Sequence, residues 1–438
     1  MKILKFGGTS VGTAARMKKV ADLIKGEEKK IVVLSAISGT TNSLVEIVNY
    51  LLKSQNEIAA EIIEGLRRKY YQFASELYQN SEYEKRANEL IDSHFNFLSG
   101  FTQDSFTLHE EKSILAQGEL LSTALFQLYL EESKFNSKLL PALQFMRIDK
   151  DLEPDHFYIK ENLLRLLKEN FETNTFITQG YICRNVYGEI DNLKRGGSDY
   201  SASLIGVAAA AEEIQIWTDI DGMHSNDPRI VENTLPIKEL SFDEAAELAY
   251  FGAKILHPSS VQPAKKTNIP VRLKSTLNPE LPGTIITDKQ SQTGIKAVAA
   301  KDGISVIKIK SGRMLMAYGF LRKVFEVFEL YKTSIDMITT SEVAVSVTID
   351  NQTYLKEICR ELKKLGTVET DFDQSIICVV GDFIKNDTGV ASRVFELLKE
   401  IPLRMISYGG SNHNISFLVN SSDKEITLKA LNKLFIHE

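Results

Sequence analysis

Two short apolar blocks open the chain, Ile3-Leu4-Lys5-Phe6 and Ile31-Val32-Val33-Leu34-Ser35, and each runs straight into small and polar residues. Gly7-Gly8-Thr9-Ser10 follows the first block, ahead of a helix-like stretch through about Lys25; Ala36-Ile37-Ser38-Gly39-Thr40-Thr41-Asn42 follows the second. Blocks this short predict strands, and strand, glycine loop and helix occurring twice in about fifty residues predict an α/β sheet domain. Ligands of such sheets bind beyond the carboxyl ends of the strands, where both loops fall.

Leu44 to about Leu98 reads as long and helical, rich in Glu, Lys, Tyr and Leu, with no chemical motif. Leu115-Ala116-Gln117-Gly118-Glu119-Leu120-Leu121-Ser122 is expected to start another helix, with Glu119 close to its beginning. Leu139 to Ile148 and Phe176 to Tyr181 are expected as strands. Ile214 to Asp219 is a strand whose end turns polar, and Phe242 to Leu256 is a helical stretch carrying Phe251-Gly252-Ala253-Lys254. Pro279, Pro282 and Gly283 mark a turn-rich region, which sets a domain boundary near residues 288–297.

The remainder repeats itself. Gly319 and Gly389 lie 70 positions apart, and at that offset Val324-Phe325-Glu326 matches Val394-Phe395-Glu396, Ser341 matches Ser411 and Ser346 matches Ser416. Each copy reads strand, glycine turn, amphipathic helix, strand, polar hairpin, strand. A solenoid is excluded, and a pair of small ferredoxin-like α+β modules is predicted.

The densest chemistry lies in Asn192-Leu193-Lys194-Arg195-Gly196-Gly197-Ser198-Asp199-Tyr200-Ser201, directly ahead of a small-residue helix beginning at Ala202. Glycines allow close approach of backbone to ligand, and the unpaired N–H groups of a helix start attract anions. Ser198, Asp199 and Ser201 are also good capping types, so simple helix initiation is the alternative for this segment alone. The similar loop after Lys5 favours a site.

Composition narrows the class. A chain of 438 residues, 43% apolar and 25% charged, is expected to be a soluble globular protein of about two or three domains. The net charge of −6 gives no footprint for nucleic acid. Cys183, Cys359 and Cys378 form neither a disulfide framework nor a metal motif. No apolar signal region and no apolar run of ~18 residues is visible, so no membrane partner and a cytoplasmic location are expected.

Lys5 precedes its glycines, which is not the Walker order, and neither loop spells a dinucleotide-binding fingerprint. With Arg195 and Lys254, also placed beside glycines, Lys5 makes an anion-binding trio. Asp199, Asp219, Asp221 and Asp227 are candidate magnesium or positioning groups, since magnesium takes one or two carboxylates plus phosphate oxygens and water. Glu119 would pair with a substrate ammonium or complement a helix dipole. His109-Glu110-Glu111 lacks the second histidine of a zincin, and no serine-hydrolase elbow is present. Ile338-Thr339-Thr340-Ser341-Glu342 is a candidate ligand loop in the repeated half.

Taken together, Lys5-Phe6-Gly7-Gly8-Thr9-Ser10, Gly118-Glu119-Leu120-Leu121-Ser122, Arg195-Gly196-Gly197-Ser198-Asp199-Tyr200, Trp217-Thr218-Asp219, Asp227-Pro228-Arg229 and Phe251-Gly252-Ala253-Lys254-Ile255-Leu256-His257-Pro258 resemble the aspartokinases, most closely the monofunctional lysine-sensitive type. Ile338 to Glu342 and Ser411-Asn412-His413-Asn414 extend the resemblance into the repeat. It implies an amino-acid-kinase fold, a mostly parallel sheet sandwiched by helices, over residues 1–290. Two ferredoxin-like ACT modules over 297–370 and 371–438 would follow, with a strand at 304–310 able to pair with the second module. The implied reaction moves the γ-phosphoryl group of MgATP to the β-carboxylate of L-aspartate, the first step of lysine, threonine and methionine biosynthesis. Glutamate or acetylglutamate as acceptor, and an amino-acid sensor on an inactive kinase scaffold, are the rival readings. A fused homoserine dehydrogenase is not expected.

By the same resemblance Lys5, Gly8 and Asp199 are catalytic. Thr41, Glu119, Arg195, Ser198 and Ser35 would bind aspartate, and Lys5, Gly7, Gly8, Ser10, Thr218, Asp219, His224, Arg229, Lys254 and Ile255 would bind ATP with Mg2+. Gly319, Phe320, Leu321, Ile335, Asp336, Thr340, Ser341 and Glu342 would bind a lysine or threonine effector, Asp336 and Glu342 being the anionic partners. A homodimer or larger assembly through the ACT modules is implied. Three positions depart from the family pattern: His224 replaces a usual tyrosine, Asp221 a common proline, and Met316-Ala317-Tyr318 a histidine-serine-arginine run.

Overall fold

The two opening blocks are adjacent parallel strands, β1 (Lys2–Phe6) and β2 (Lys30–Leu34), joined through helix α1 (Ala14–Leu23). In this computed structural model, which describes residues 1–103, 106–193, 196–252, 257–288, 294–312, 318–382 and 388–435, the chain continues through α2 (Thr40–Leu52), α3 (Asn56–Leu77), α4 (Ser81–Gly100) and α5 (Glu111–Glu132). Next come β3 (Ser137–Leu139), α6 (His156–Glu169), β4 (Thr175–Gln179), a small hairpin of β5 (Ile182–Arg184) and β6 (Ile190–Asn192), α7 (Gly197–Ala208) and β7 (Glu213–Thr218). They are followed by β8 (Glu239–Ser241), α8 (Phe242–Tyr250), α9 (Gln262–Lys266), β9 (Val271–Ser275) and β10 (Thr284–Thr287).

Eight of these strands make one sheet in the order β3-β4-β2-β1-β7-β9-β10-β8. It is parallel from β3 to β9, and β10 runs antiparallel to β9. Ile3, Phe6, Ile31, Val32, Val33 and Leu34 are all fully buried, as central strands covered on both faces require. Helix α3 buries Ala59, Ile63, Leu66, Tyr70, Phe73, Ala74 and Leu77, a three-and-four spacing that turns one face into the core shared with α1, α2, α4 and α5. Among the described residues no helix is long and apolar enough to cross a membrane.

The structure corrects several local expectations. The long helical region is three helices, broken where Ser54 takes φ +57° and where Asn80 caps α4 through its side chain. Leu139 to Ile148 is not a strand: pairing stops at Leu139, and Pro141, which has no N–H to donate, leads into a short 3-10 turn at Ala142–Gln144. Helix α5 begins at Glu111, so Glu119 sits well inside it rather than at its start. Helix α8 stops at Tyr250.

The chain divides into two compact units. One comprises Met1–Met223, Lys238–Phe242 and Ile255–Lys289; the other comprises His224–Ile237, Asp243–Lys254 and Gln290–Glu438. The second holds a six-stranded antiparallel sheet built from β11 (Gly294–Lys310), α10 (Phe320–Leu330), β12 (Ile338–Thr340), β13 (Ala344–Ile349), α11 (Leu355–Leu362), β14 (Thr367–Asp382), α12 (Val390–Leu397), β15 (Met405–Tyr408), β16 (Asn414–Asn420) and α13 (Lys424–Asn432). Its order is β12-β13-β11-β14-β16-β15. Two long strands serve both repeats. Ile304–Lys310 lies between β13 and the first part of β14, whereas Gly294–Lys301 pairs with Ile376–Asp382. The matched Val324 and Val394 are both fully buried, each in its own repeat's core. The matched glycines differ: Gly319 caps α10 at φ +80°, Gly389 caps α12 at φ −97°.

Candidate active site

Strand β1 is where the chain changes direction across its sheet, with β2 and β4 on one side and β7 and β9 on the other. Such a switch point opens a crevice beyond the strand ends. Lys5 stands on β1, and its Nζ lies 2.6 Å from Asp199 Oδ1, both side chains being mostly shielded from water. The loops leaving the strands are tied to their neighbours: the Gly7 N–H donates to the Trp217 carbonyl and the Ser35 N–H to the Phe6 carbonyl. A Cβ on Gly8 would sit 2.9 Å from the Ala36 carbonyl oxygen, so glycine lets these two loops touch.

The glycine-rich segment ahead of α7 starts that helix without the side-chain cap that the alternative reading allowed. Gly196 is the N-cap, at φ +75° and with Ser260 only 2.8 Å from where a Cβ would be. Ser198, Asp199 and Ser201 lie inside the helix and are freed for other contacts. Ser198 Oγ accepts from Ser35 Oγ at 2.9 Å, and Ser201 Oγ accepts from the Tyr181 N–H at 2.8 Å. In the first turn of α7 the Asp199 and Tyr200 N–H groups donate to the Gly196 carbonyl at 2.9 and 3.2 Å, which leaves those of Gly197 and Ser198 for an anion.

Glu119 is buried in α5, with Oε1 accepting the Ala36 N–H at 3.2 Å and Oε2 left without a hydrogen-bond partner. Burial pushes its carboxyl up to about 7, against the smaller opposing pull of the Ala36 N–H. Thr41 is the second residue of α2, on the same Ser35-to-Thr41 loop. At the end of β7, Thr218 Oγ1 donates to Asp219 Oδ1 at 3.0 Å, and Asp219 is exposed. Ser10 is buried with Oγ 3.5 Å from the Trp217 carbonyl. Thus Lys5, Gly7, Gly8, Ser10, Ser35, Thr41, Glu119, Ser198, Asp199, Thr218 and Asp219 all belong to one compact unit and to linked loops or helix turns of it.

Arg195, Lys254 and Ile255 lie outside the described residues. His224 and Arg229 belong to the second unit. Arg229 grips Asp227 through two bonds, Nε to Oδ1 at 2.9 Å and Nη2 to Oδ2 at 2.7 Å, which holds the Asp227 carboxyl below its usual range. His224 Nδ1 lies 2.9 Å from Thr234 Oγ1.

Residues 1–275 match the amino acid kinase family, and residues 377–435 match an ACT domain. The chain is 34% identical to Aspartokinase 1, chloroplastic, of Arabidopsis thaliana, over 99% of this chain and 80% of that one. It is 32% identical to Lysine-sensitive aspartokinase 3 of Escherichia coli strain K12, over 98% of both chains. The chain belongs to the aspartokinase family. Its structure is similar to E. coli aspartokinase III solved with aspartate and ADP, described as the R-state, with a TM-score of 0.84 at 31% identity over 100% of each chain. The same enzyme solved with lysine and aspartate, the T-state, gives 0.83 at 32% identity over 100% of each chain.

The effector candidates of this aspartokinase spread over three surroundings in the second unit. Thr340 and Ser341 line an open groove of about 650 Å³ together with Lys308, Lys310 and Thr339. Gly319, Phe320 and Leu321 start α10, where Phe320 is buried, and Ile335 packs against the same repeat's core. Glu342 is exposed on the β12–β13 turn, but Asp336 is not a free anion. Lys301 Nζ and the Tyr250 hydroxyl both reach its Oδ1 at 2.7 Å, and its Oδ2 is buried without a hydrogen-bond partner.

Three contacts around the first site carry no sequence signal of their own. Ser122 Oγ donates to the Ser35 carbonyl at 2.9 Å, Lys69 Nζ to the Ser38 carbonyl at 3.0 Å, and Tyr70 OH lies 2.8 Å from Thr40 Oγ1. Tyr181 takes φ +67° beside Ser201. Tyr70 and Lys69 belong to the motif-free helical region, and helical spacing flags Tyr70 only as a core residue.

The raised Glu119 carboxyl makes a stability prediction. Its proton stabilises the fold fully below the unfolded value near 4.5, and that contribution is lost as pH rises through about 7. Glu119→Gln is therefore expected to gain stability over the unsubstituted chain between these values, by on the order of 3 kcal/mol at pH 8. Denaturant melts from pH 4 to pH 8 measure it; a gap that does not grow with pH contradicts the assignment.

Proposed function

We propose that this aspartokinase phosphorylates L-aspartate on its β-carboxylate, using the γ-phosphoryl group of ATP and releasing ADP, at the head of lysine, threonine and methionine biosynthesis. The observation that carries the reading is Lys5, a shielded cation held by Asp199 at the switch point of the sheet, between two glycine loops and a helix N-terminus. It is supported by the similar fold of a relative solved with aspartate and ADP.

The acceptor needs no general base. An aspartate side chain, with a reference pKa of about 3.9, is already ionised at neutral pH. Two anions must instead be brought together and aligned, the usual demand of phosphoryl transfer. Lys5 neutralises the transferring phosphate, leaving Asp199 for it, while Gly7, Gly8 and Ser10 cradle the nucleotide phosphates. Ser198 and the α7 N–H groups face the charge that builds during transfer. Glu119 Oε2 receives the aspartate ammonium, and Thr41, Ser35 and Arg195 hold its carboxylates, Arg195 as a bidentate clamp. Thr218 and Asp219 complete the nucleotide contacts within this unit. The exposed Asp219 carboxylate fits a magnesium ion held largely by phosphate oxygens, which would supply further charge neutralisation.

The domain reading is a kinase domain over 1–290 and ACT modules over 297–370 and 371–438, assembling as a homodimer through the modules. Lysine is the effector this reading favours over threonine, because the exposed Glu342 carboxylate and the buried Asp336 Oδ2, which lacks a hydrogen-bond partner, suit a second ammonium group. Its binding shifts the kinase between two states that differ in lysine affinity.

Hydroxylamine trapping of acyl phosphate, with MgATP and separately aspartate, glutamate and acetylglutamate, tests the activity. Product is expected with aspartate alone; product with none of the acids sinks the reading. In the same assay Lys5→Ala is expected to lose at least about a hundredfold in kcat while circular dichroism stays unchanged. Near-normal turnover would remove Lys5 from the mechanism. Millimolar lysine is expected to inhibit and to raise Tm more than threonine does; no effect of either amino acid contradicts the regulatory part.

A further inference from the structure

The loop from Ser35 to Thr41 carries much of the proposed aspartate site, yet its own sequence does little to fix it. Gly39, the N-cap of α2, sits at φ +84° and supplies no capping side chain. The loop is held instead from outside. Ser122 and Glu119 on α5 bind the Ser35 carbonyl and the Ala36 N–H. Two consecutive residues of α3 hold the far end, Lys69 through the Ser38 carbonyl and Tyr70 through the Thr40 hydroxyl.

The Tyr70 contact differs from a surface tether. Tyr70 is 1% exposed and Thr40 2% exposed, so neither hydroxyl has water as a substitute partner. A buried hydroxyl that loses its partner costs more than an exposed one. Two hydroxyls share one bond between them and keep one further proton to donate. Glu119 Oε2 is a buried acceptor that lacks a donor, and Glu119 is close enough for its charge to affect Tyr70. Desolvation raises the Tyr70 hydroxyl pKa most, the Thr40 bond lowers it, and the Glu119 charge adds a smaller rise. The packing leaves this end of the loop little slack. Gly118 has no Cβ, and one added there would meet Ala36 Cβ at 2.8 Å and Thr40 Cγ2 at 3.4 Å. The Tyr70 ring is itself fixed against Phe95, with centroids 5.6 Å apart.

We infer that Tyr70 is a positioning residue for the acceptor amino acid: through Thr40 it sets the start of α2, and so the place of Thr41 relative to Glu119. The inference rests on the proposed aspartate site. The nucleotide loop from Gly7 to Ser10 and the Thr218–Asp219 strand end have no direct bond to Tyr70 among the described residues. Loss of the hydroxyl therefore falls on one substrate.

Tyr70→Phe keeps the ring and deletes the bond, as Thr40→Val does from the other side. Each is expected to raise KM for aspartate about three- to tenfold with KM for ATP unchanged, the range of one hydrogen bond. The double variant is expected to be no worse than the poorer single one, and Thr40→Ser to restore aspartate KM. Steady-state kinetics on the full chain, with Tm recorded for each variant, decides. An unchanged aspartate KM overturns the inference, as does a parallel rise in both KM values that tracks a fall in Tm. If the unsubstituted chain makes no acyl phosphate with aspartate, the functional reading falls and takes the inference with it; active unsubstituted chain with unaffected variants removes the inference alone.

Discussion

The ion pair between Lys5 and Asp199 is the constraint on which the site depends. Its two members come from distant parts of the sequence, one from the central strand β1 and the other from the first turn of α7. Mostly shielded pairs of this kind contribute little net stability, because desolvation offsets much of the attraction. Their value is placement. Asp199 keeps a cation at the sheet's switch point when no phosphate is there, and the short N–O distance of 2.6 Å keeps that cation aimed at the mouth of the α7 helix. The glycines serve this arrangement: Gly8 lets the first two loops touch, and Gly196 lets α7 begin beside Ser260.

Around that pair the molecule trades stability for readiness. Glu119 is buried with one oxygen unpaired, a costly state for a carboxylate and one that raises its proton affinity. An ammonium group arriving at Oε2 would relieve the cost, which is a physical reason for a substrate with a free amino group to bind there. The surrounding hydroxyls, Ser35, Ser122, Ser198 and Thr40, each make a hydrogen bond within the protein. They fix the loops before any ligand arrives, and preorganisation of this kind lowers the ordering cost of binding.

Much of this was legible in the sequence because its carriers are local. Apolar blocks ending in glycine and hydroxyl residues announce strand ends wherever they occur, and Lys5, Gly7, Gly8, Ser10, Ser198 and Asp199 were found that way. What the sequence hid is non-local or conformational. Thr40 and Tyr70 are separated by 30 positions and meet only because α3 folds back on the loop. The capping role open to Ser198, Asp199 and Ser201 falls to Gly196, since a left-handed glycine can cap without a side chain. Leu139 to Ile148 reads as a strand because it is rich in apolar residues, but Pro141 diverts the backbone. In the repeated half, the sharing of β11 and β14 between the repeats follows from strand pairing, which no 70-residue offset reveals. Asp336 reads as an open anion in sequence and is engaged by Lys301 in the fold.

The central claim is that the carboxylate oxygen of the amino acid, and not water, attacks the transferring phosphorus. It is tested most directly with aspartate carrying 18O in its β-carboxylate. The acyl phosphate is cleaved by hydroxylamine at the acyl carbon, so the bridging oxygen leaves with phosphate. The account predicts a single 18O atom in each phosphate released, read by mass or by the isotope shift in phosphorus NMR. Unlabelled phosphate would mean that water is the acceptor and would contradict it.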